Sequence, residues 1–386
     1  MNNSTLKTPM KPLLKKPISL FRTIHPNLRH TPLIFFLVIN SLFLLKYGAR
    51  ITDYHWIFPS MYVCFVMLVL LIIKLVSQKV TLTPVLFFGS LCAFFLIIYF
   101  ITLRIIDPIT VNVDRWSAIT SFNEHLLAGN FPYTARTHLG HQVSRFPCLF
   151  ILALPFQLIG DVGYLQLFTF LCFSLIIYRH TIPPSLKLAT LFLAGTSPIF
   201  LIEVAARSEL FSNMVFILLL ITAYEHVRNT KHPLHMVLCG MCSGLVLSTR
   251  GIVLVPFLVY ISGYFTKNEL RSAVTFFILL IITFSLTFLP FYLWDTEAFN
   301  VSNPFLLQSS YIPKFLLSVV VITSLGVGRY MKRIDQALLA AGYILCVTIG
   351  IIFLLAAFEH GWTQAVYQSY FYLTYFQFCM PFLLMR

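Results

Sequence analysis

The chain has 386 residues, 58% of them hydrophobic and only 10% charged, with 39 Phe and a formal charge of +14. Soluble domains carry about 25% charged residues, so a water-facing exterior is excluded and the chain reads as an all-α polytopic membrane protein. The positive balance does not point to nucleic acid, because the basic residues stand in short clusters between apolar runs, as membrane insertion requires.

Residues 1–31 form a basic arm with Lys7, Lys11, Lys15, Lys16, Arg22 and Arg29 and no acid. Such an arm is expected on the cytoplasmic side, held at an anionic leaflet by its charge. No small-x-small cleavage pattern follows the first apolar run, so a cleaved signal peptide is not expected. Residues 32–386 then read as a single transmembrane domain. Its apolar runs fall near 33–48, 56–76, 84–104, 162–179, 186–202, 208–226, 233–248, 251–265, 271–293, 313–329, 336–356 and 364–384. A crossing helix needs about 20 apolar residues, which predicts about twelve spans with both ends on one side. The run 146–160 is short and carries Pro147 and Pro155, so it is expected to be re-entrant or interfacial.

This arrangement puts most of the 27 basic residues on the side of the arm, which the positive-inside rule makes cytoplasmic. Of the 13 acids, all but Glu225, Glu269 and Asp335 then fall at or near the outer face. Acids contribute little to insertion, so a polar reaction site at that face is the better account of the bias. The eight cysteines lie in or beside apolar runs and read as small hydrophobes, including the Cys239-x-x-Cys242 pair.

The longest polar interruption runs from 107 to 160, with an outer loop from 108 that crowds titratable and aromatic side chains together. Residues 114–128 read as an amphipathic helix that stops at Gly129, with Asn112 or Asp114 as its cap. An aspartate at that position stays ionised and can serve as a general base; it can equally be a plain N-cap. Arg145, Arg207 and Arg250 fall at the same face, where guanidinium groups suit a phosphate, the alternative being snorkelling at the boundary. Asp107 and Glu209 are further acids there. His360 can bind phosphate or shuttle a proton, and the Trp294-Asp295-Thr296-Glu297 stretch can brace the loop. His138 and His141 lack the carboxylate spacing of a metal site, so neither a metal nor another cofactor is expected.

Taken in order, these residues resemble the GT-C superfamily of integral-membrane glycosyltransferases, in particular its bacterial mannosyltransferase-like and arabinosyltransferase-like members. The likeness rests on Asp114 early in the loop, a helix, Leu126-Leu127-Ala128-Gly129-Asn130-Phe131-Pro132-Tyr133, then Pro147 to Gly160, Arg207-Ser208-Glu209, and Pro290 to Phe299. The sequence departs from the pattern in several places. Phe146-Pro147 stands for a double proline, Glu209 for the commoner aspartate, two extra spans precede the loop, and Asp114 is not part of an acidic pair. The resemblance implies a polyprenyl-phosphate sugar as donor, a glycan, lipid or polyol as acceptor, and an active site on the non-cytoplasmic face of a bacterial plasma membrane. In that setting Asp114 would be the base, the arginines would hold the departing phosphate, and Tyr133, His138, Asp107, Glu209 and His360 would support acceptor and sugar. The rivals are a twelve-span secondary transporter and a lipid-carrier flippase, although transporters generally gather their polar groups near the midplane.

Overall fold

A computed structural model describes residues 30–77, 84–227, 233–265, 270–310, 312–368 and 372–385, so nearly all of the basic arm lies outside the described residues. In chain order the helices are α1 (Thr31–Gly48), α2 (Ile57–Ser77), α3 (Pro84–Ile105), α4 (Arg115–Leu127), α5 (Pro147–Ile159), α6 (Tyr164–Arg179), α7 (Pro184–Gly195), α8 (Pro198–Ala205) and α9 (Leu210–Val227). They continue as α10 (Pro233–Leu247), α11 (Leu254–Phe265), α12 (Leu270–Trp294), α13 (Thr296–Val301), α14 (Pro304–Ser309), α15 (Lys314–Tyr330), α16 (Ile334–His360), α17 (Trp362–Tyr367) and α18 (Met380–Leu384). Among the described residues the only β-pairing is an isolated bridge between Arg136 and Gln142.

Among the described residues six helices are long and apolar enough to cross a membrane, or up to nine if each bent pair is one span. The protein is therefore a multi-pass integral membrane protein. Three of the twelve expected runs make the difference from nine. Helices α10 and α11 hold only 15 and 12 residues, short of the ~20 that a crossing needs. The run 364–384, expected as a span, is instead α17, a 3₁₀ turn over Leu373–Phe378, and α18. Pro381 and the buried polar Thr374 and Gln377 make that stretch a poor lipid-facing helix, and it packs inside the bundle against α1, α9 and α16.

Prolines set the breaks. Helices α3, α5, α7, α8, α10 and α14 each begin on proline, whose missing N–H costs nothing in the first turn. The run 186–202 is split at Pro198, which bends α7 against α8 by 49°. Helix α5 is bent by 112° from α6, so the proline-rich run is a separate element and not part of a straight crossing.

Two cores result. The larger is formed by facing sides of the bundle helices. The smaller gathers Phe122, Phe131, Tyr133, Phe146, Phe150, Phe288, Phe291 and Phe299, with Phe122 stacked on Phe150 at 3.6 Å between centroids. Such aromatic pairs contribute about 0.5–1.5 kcal/mol beyond area burial, and here they clamp α4 and α5 onto α12 and α13. That clamp positions the loop.

Candidate functional site

The site is assembled by backbone pairing at the edge of the smaller core. Phe146 N–H donates to Thr249 O (3.3 Å) and Cys148 N–H to Ser248 O (3.0 Å), laying the start of α5 against the end of α10. Gln308 of α14 closes the same junction, accepting from Gly251 N–H at 2.9 Å and donating to Ser144 O at 2.6 Å. Arg145 and Arg250, 105 positions apart in sequence, are thereby brought to one carboxylate, that of Glu209 just before α9.

Both Glu209 oxygens are taken. Arg145 donates from Nε to Oε1 at 3.0 Å and from Nη2 to Oε2 at 3.3 Å, while Arg250 Nη1 also reaches Oε1. The group is buried, with Glu209 fully inaccessible. Burial pushes the Glu209 carboxyl up, but Arg145, then Arg250 and Arg115, more than offset it and hold it down at about 2. A third guanidinium completes the group. Buried Arg115, at the start of α4, donates to Thr374 Oγ1 at 2.8 Å and Ser208 Oγ at 3.4 Å and lies 5.1 Å from the Tyr375 ring. Its partners are neutral. Three guanidinium groups therefore gather about the fully engaged carboxylate of Glu209, with the buried carboxyl of Glu203 also within electrostatic reach of Arg115, and such a gathering of guanidinium groups suits an anion.

Asp114 occupies the N-cap position of α4, yet its carboxylate makes no capping bond. It accepts instead from the loop hairpin: His141 Nδ1–H at 2.6 Å and Thr137 Oγ1–H at 3.1 Å, both on Oδ2. Burial raises its carboxyl, but the His141 hydrogen bond and the charge of Arg145, followed by smaller contributions from His141 and Thr137, leave it below the ordinary range. It thus stays ionised near neutrality with Oδ1 unengaged among the described hydrogen bonds. Helix α4 ends as the sequence reading has it, on Gly129 in the left-handed region (φ 74°).

Arg207 has partners of its own. Its backbone is left-handed (φ 48°), and its guanidinium is spent on Asp161 and the carbonyls of Leu103, Ile106 and Ala205. All five N–H donors are engaged, so none is left for a phosphate. Arg207 locks α3, the α5–α6 corner and the α8–α9 corner together. In the guanidinium cluster Arg115 stands where Arg207 was expected.

The other expected residues are placed as follows. Exposed Asp107 caps the 3₁₀ turn Pro108–Val111 by accepting from Ile109 N–H at 3.0 Å. Tyr133 is buried in the smaller core and its hydroxyl donates to Arg145 O at 3.2 Å, so it supports the arginine through the backbone. His138 lies against Trp116 and contacts Ser117 Oγ through Nδ1 at 2.8 Å, one turn from Asp114. His360 ends α16, 3.9 Å from Glu359. Asp295 caps α13 and lines, with Glu297, Arg136 and Gln142, a cavity of about 360 Å³ beside the hairpin. Arg115 was legible only as one charge among many in the loop, because its partners Ser208 and Thr374 come from distant segments. No family model, no curated protein and no solved structure matches the chain.

Proposed function

We propose that this protein is an inverting glycosyltransferase that moves a hexose or pentose from a polyprenyl-phosphate donor to a hydroxyl of a glycan, lipid or polyol at the outer face of the membrane. The observation that carries this reading is one juxtaposition. An ionised carboxylate, Asp114, whose Oδ1 is unengaged among the described hydrogen bonds, lies within electrostatic reach of Arg145, which belongs to a buried cluster of three guanidinium groups gathered about Glu209.

The chemistry follows from charge. In a single displacement the acceptor oxygen attacks the anomeric carbon and loses its proton to Asp114. The anomeric C–O bond breaks and its electron pair goes to the phosphate. Negative charge thus grows at the leaving group, where pre-arranged cations stabilise the transition state more than the ground state. Arg115, Arg145 and Arg250 supply them, with Glu209 holding the last two in place. A lipid-borne donor and the GT-C-like order of the motifs belong to the same reading.

Purified protein incubated with short-chain polyprenyl-phosphate hexoses and pentoses tests it. Release of polyprenyl phosphate coupled to a glycosylated acceptor is the expected result. Movement of intact lipid-linked sugar across proteoliposomes without bond cleavage would replace the transferase with a flippase.

A further inference from the structure

His141 is the partner of Asp114 that neither the order of motifs nor the guanidinium cluster accounts for. It is carried by a hairpin closed in three ways: Thr137 N–H donates to His141 O (3.0 Å), Gly140 N–H to Thr137 O (2.8 Å), and Arg136 bridges to Gln142. Gly140 supplies the left-handed residue the turn needs (φ 81°). The hairpin is two-faced. Arg136 and Gln142 line the cavity with Asp295 and Glu297, whereas Thr137 and His141 both reach Asp114 Oδ2. The His141 backbone N–H also donates to Thr137 Oγ1 at 3.1 Å, which fixes the position of both donors. The imidazole is 59% exposed while the carboxylate it meets is only 20% exposed, so the pair joins solvent to the site.

The charged groups around this ring are few. Asp114 faces it directly from the start of α4, and the charge of Arg145 acts on that carboxylate. On its own hairpin Arg136 faces the other way, and His138 is turned to Ser117 and Trp116.

We propose that His141 is the positioning residue of Asp114 and, through its own ionisation, an acid-side switch on the transfer. The inference rests on the transferase reading given above. With the ring neutral, Nδ1–H holds Oδ2 and leaves Oδ1 for the acceptor hydroxyl; the hydrogen bond at Nδ1 sets the tautomer and puts the lone pair on Nε2. Once Nε2 takes a proton from solvent, a full positive charge stands 2.6 Å from the carboxylate and lowers its affinity for the acceptor proton. Protonation of the ring therefore slows the transfer as the aqueous phase at this face acidifies.

The test is a pH–rate profile from about pH 5 to 8.5, the interval that spans imidazole ionisation, for the purified full-length chain with a short-chain polyprenyl-phosphate sugar. The wild type should lose kcat/KM on the acid side. His141→Asn keeps an N–H donor near the Nδ1 position but does not titrate, so that limb should vanish while the plateau falls less than in His141→Ala. His141→Ala should lower the plateau by roughly 10-fold or more, the loss expected when a hydrogen bond to a charged group is removed. An acid limb unchanged in His141→Asn overturns the switch and leaves the transferase intact. Absence of transfer at every pH overturns the transferase and this role with it. Nitrogen-15 spectra of the ring test the pairing apart from activity: the wild type should show Nδ1 protonated, and Asp114→Ala should abolish that preference. The same tautomer in both proteins would refute the contact on which the inference stands.

Discussion

At the scale of the residue, the informative contrast is between side chains that share a type but not a surrounding. Asp107 and Asp114 are both acids at the start of a helical turn, yet Asp107 caps its turn in the open while Asp114 leaves its helix uncapped and turns to the hairpin. Asn keeps a side-chain oxygen that can accept from His141 and Thr137, so Asp114→Asn removes basicity with little change in local structure. It should fold, bind donor and turn over on the order of 10²–10⁴ times more slowly, as measured by product formation under saturating donor. Arg207 and Arg115 form a second contrast. Arg207→Ala strands Asp161 and should cost about 3–5 kcal/mol of stability, visible as a lower unfolding midpoint in detergent. Arg115→Ala breaks bonds only to neutral hydroxyls; its main effect should be a rise in donor KM of roughly 10–100-fold. Equal stability losses with unchanged donor KM in both would place Arg115 outside the site.

At the scale of the element, close approach between helices depends on glycine where a membrane interior offers little hydrophobic drive for packing. Gly240 and Gly244 form a G-x-x-x-G on α10, and a Cβ at Gly244 would meet Leu280 O of α12 at 2.6 Å. Gly328 of α15 is tighter still, since its Cβ would run into Val259 O of α11. Gly328→Ala should therefore lower the thermal midpoint of the purified protein. Gly326→Ala, two residues away with nothing within 4 Å of the added carbon, should be neutral or raise it, because alanine favours helix by up to ~1 kcal/mol. The same close packing explains why α10 and α11, short as they are, are held in place: each lies along a longer partner, α12 or α15. The helix starts were legible from proline positions and the stop of α4 from Gly129. The bend between α5 and α6 was legible only as an anomaly of length, since its 112° is fixed by Arg207, Asp161 and the aromatic core together.

At the scale of the whole molecule, the long apolar helices leave large hydrophobic side chains such as Met61, Leu68, Leu86 and Phe315 exposed, a surface that only hydrocarbon can cover without cost. The orientation proposed here puts the hairpin outside and the basic segment near Lys332 inside. A single cysteine introduced within residues 136–142 should react with an impermeant maleimide on intact cells, and one at Lys332 should react only after permeabilisation. The reverse pattern would move the site to the cytoplasm and remove the argument for a lipid-borne donor.

What the sequence determined by itself is what depends on neighbours along the chain. Composition set the solvent, runs of apolar residues set most of the helices, and Pro and Gly set where they start and stop. It also marked the polar loop as the place where ionisable groups concentrate. Whether a given arginine is a clamp or a spare charge is decided by groups far away in sequence, and only the tertiary structure supplies them. Arg207 is neutralised by Asp161, Arg145 and Arg250 converge on Glu209, and Arg115 is left with Ser208 and Thr374. Asp114 likewise has the local signature of a cap, and becomes a tethered carboxylate only because a hairpin 27 positions on folds back to meet it. Electrostatic energy falls with distance through space, not along the chain, so the roles of these charges were fixed by folding.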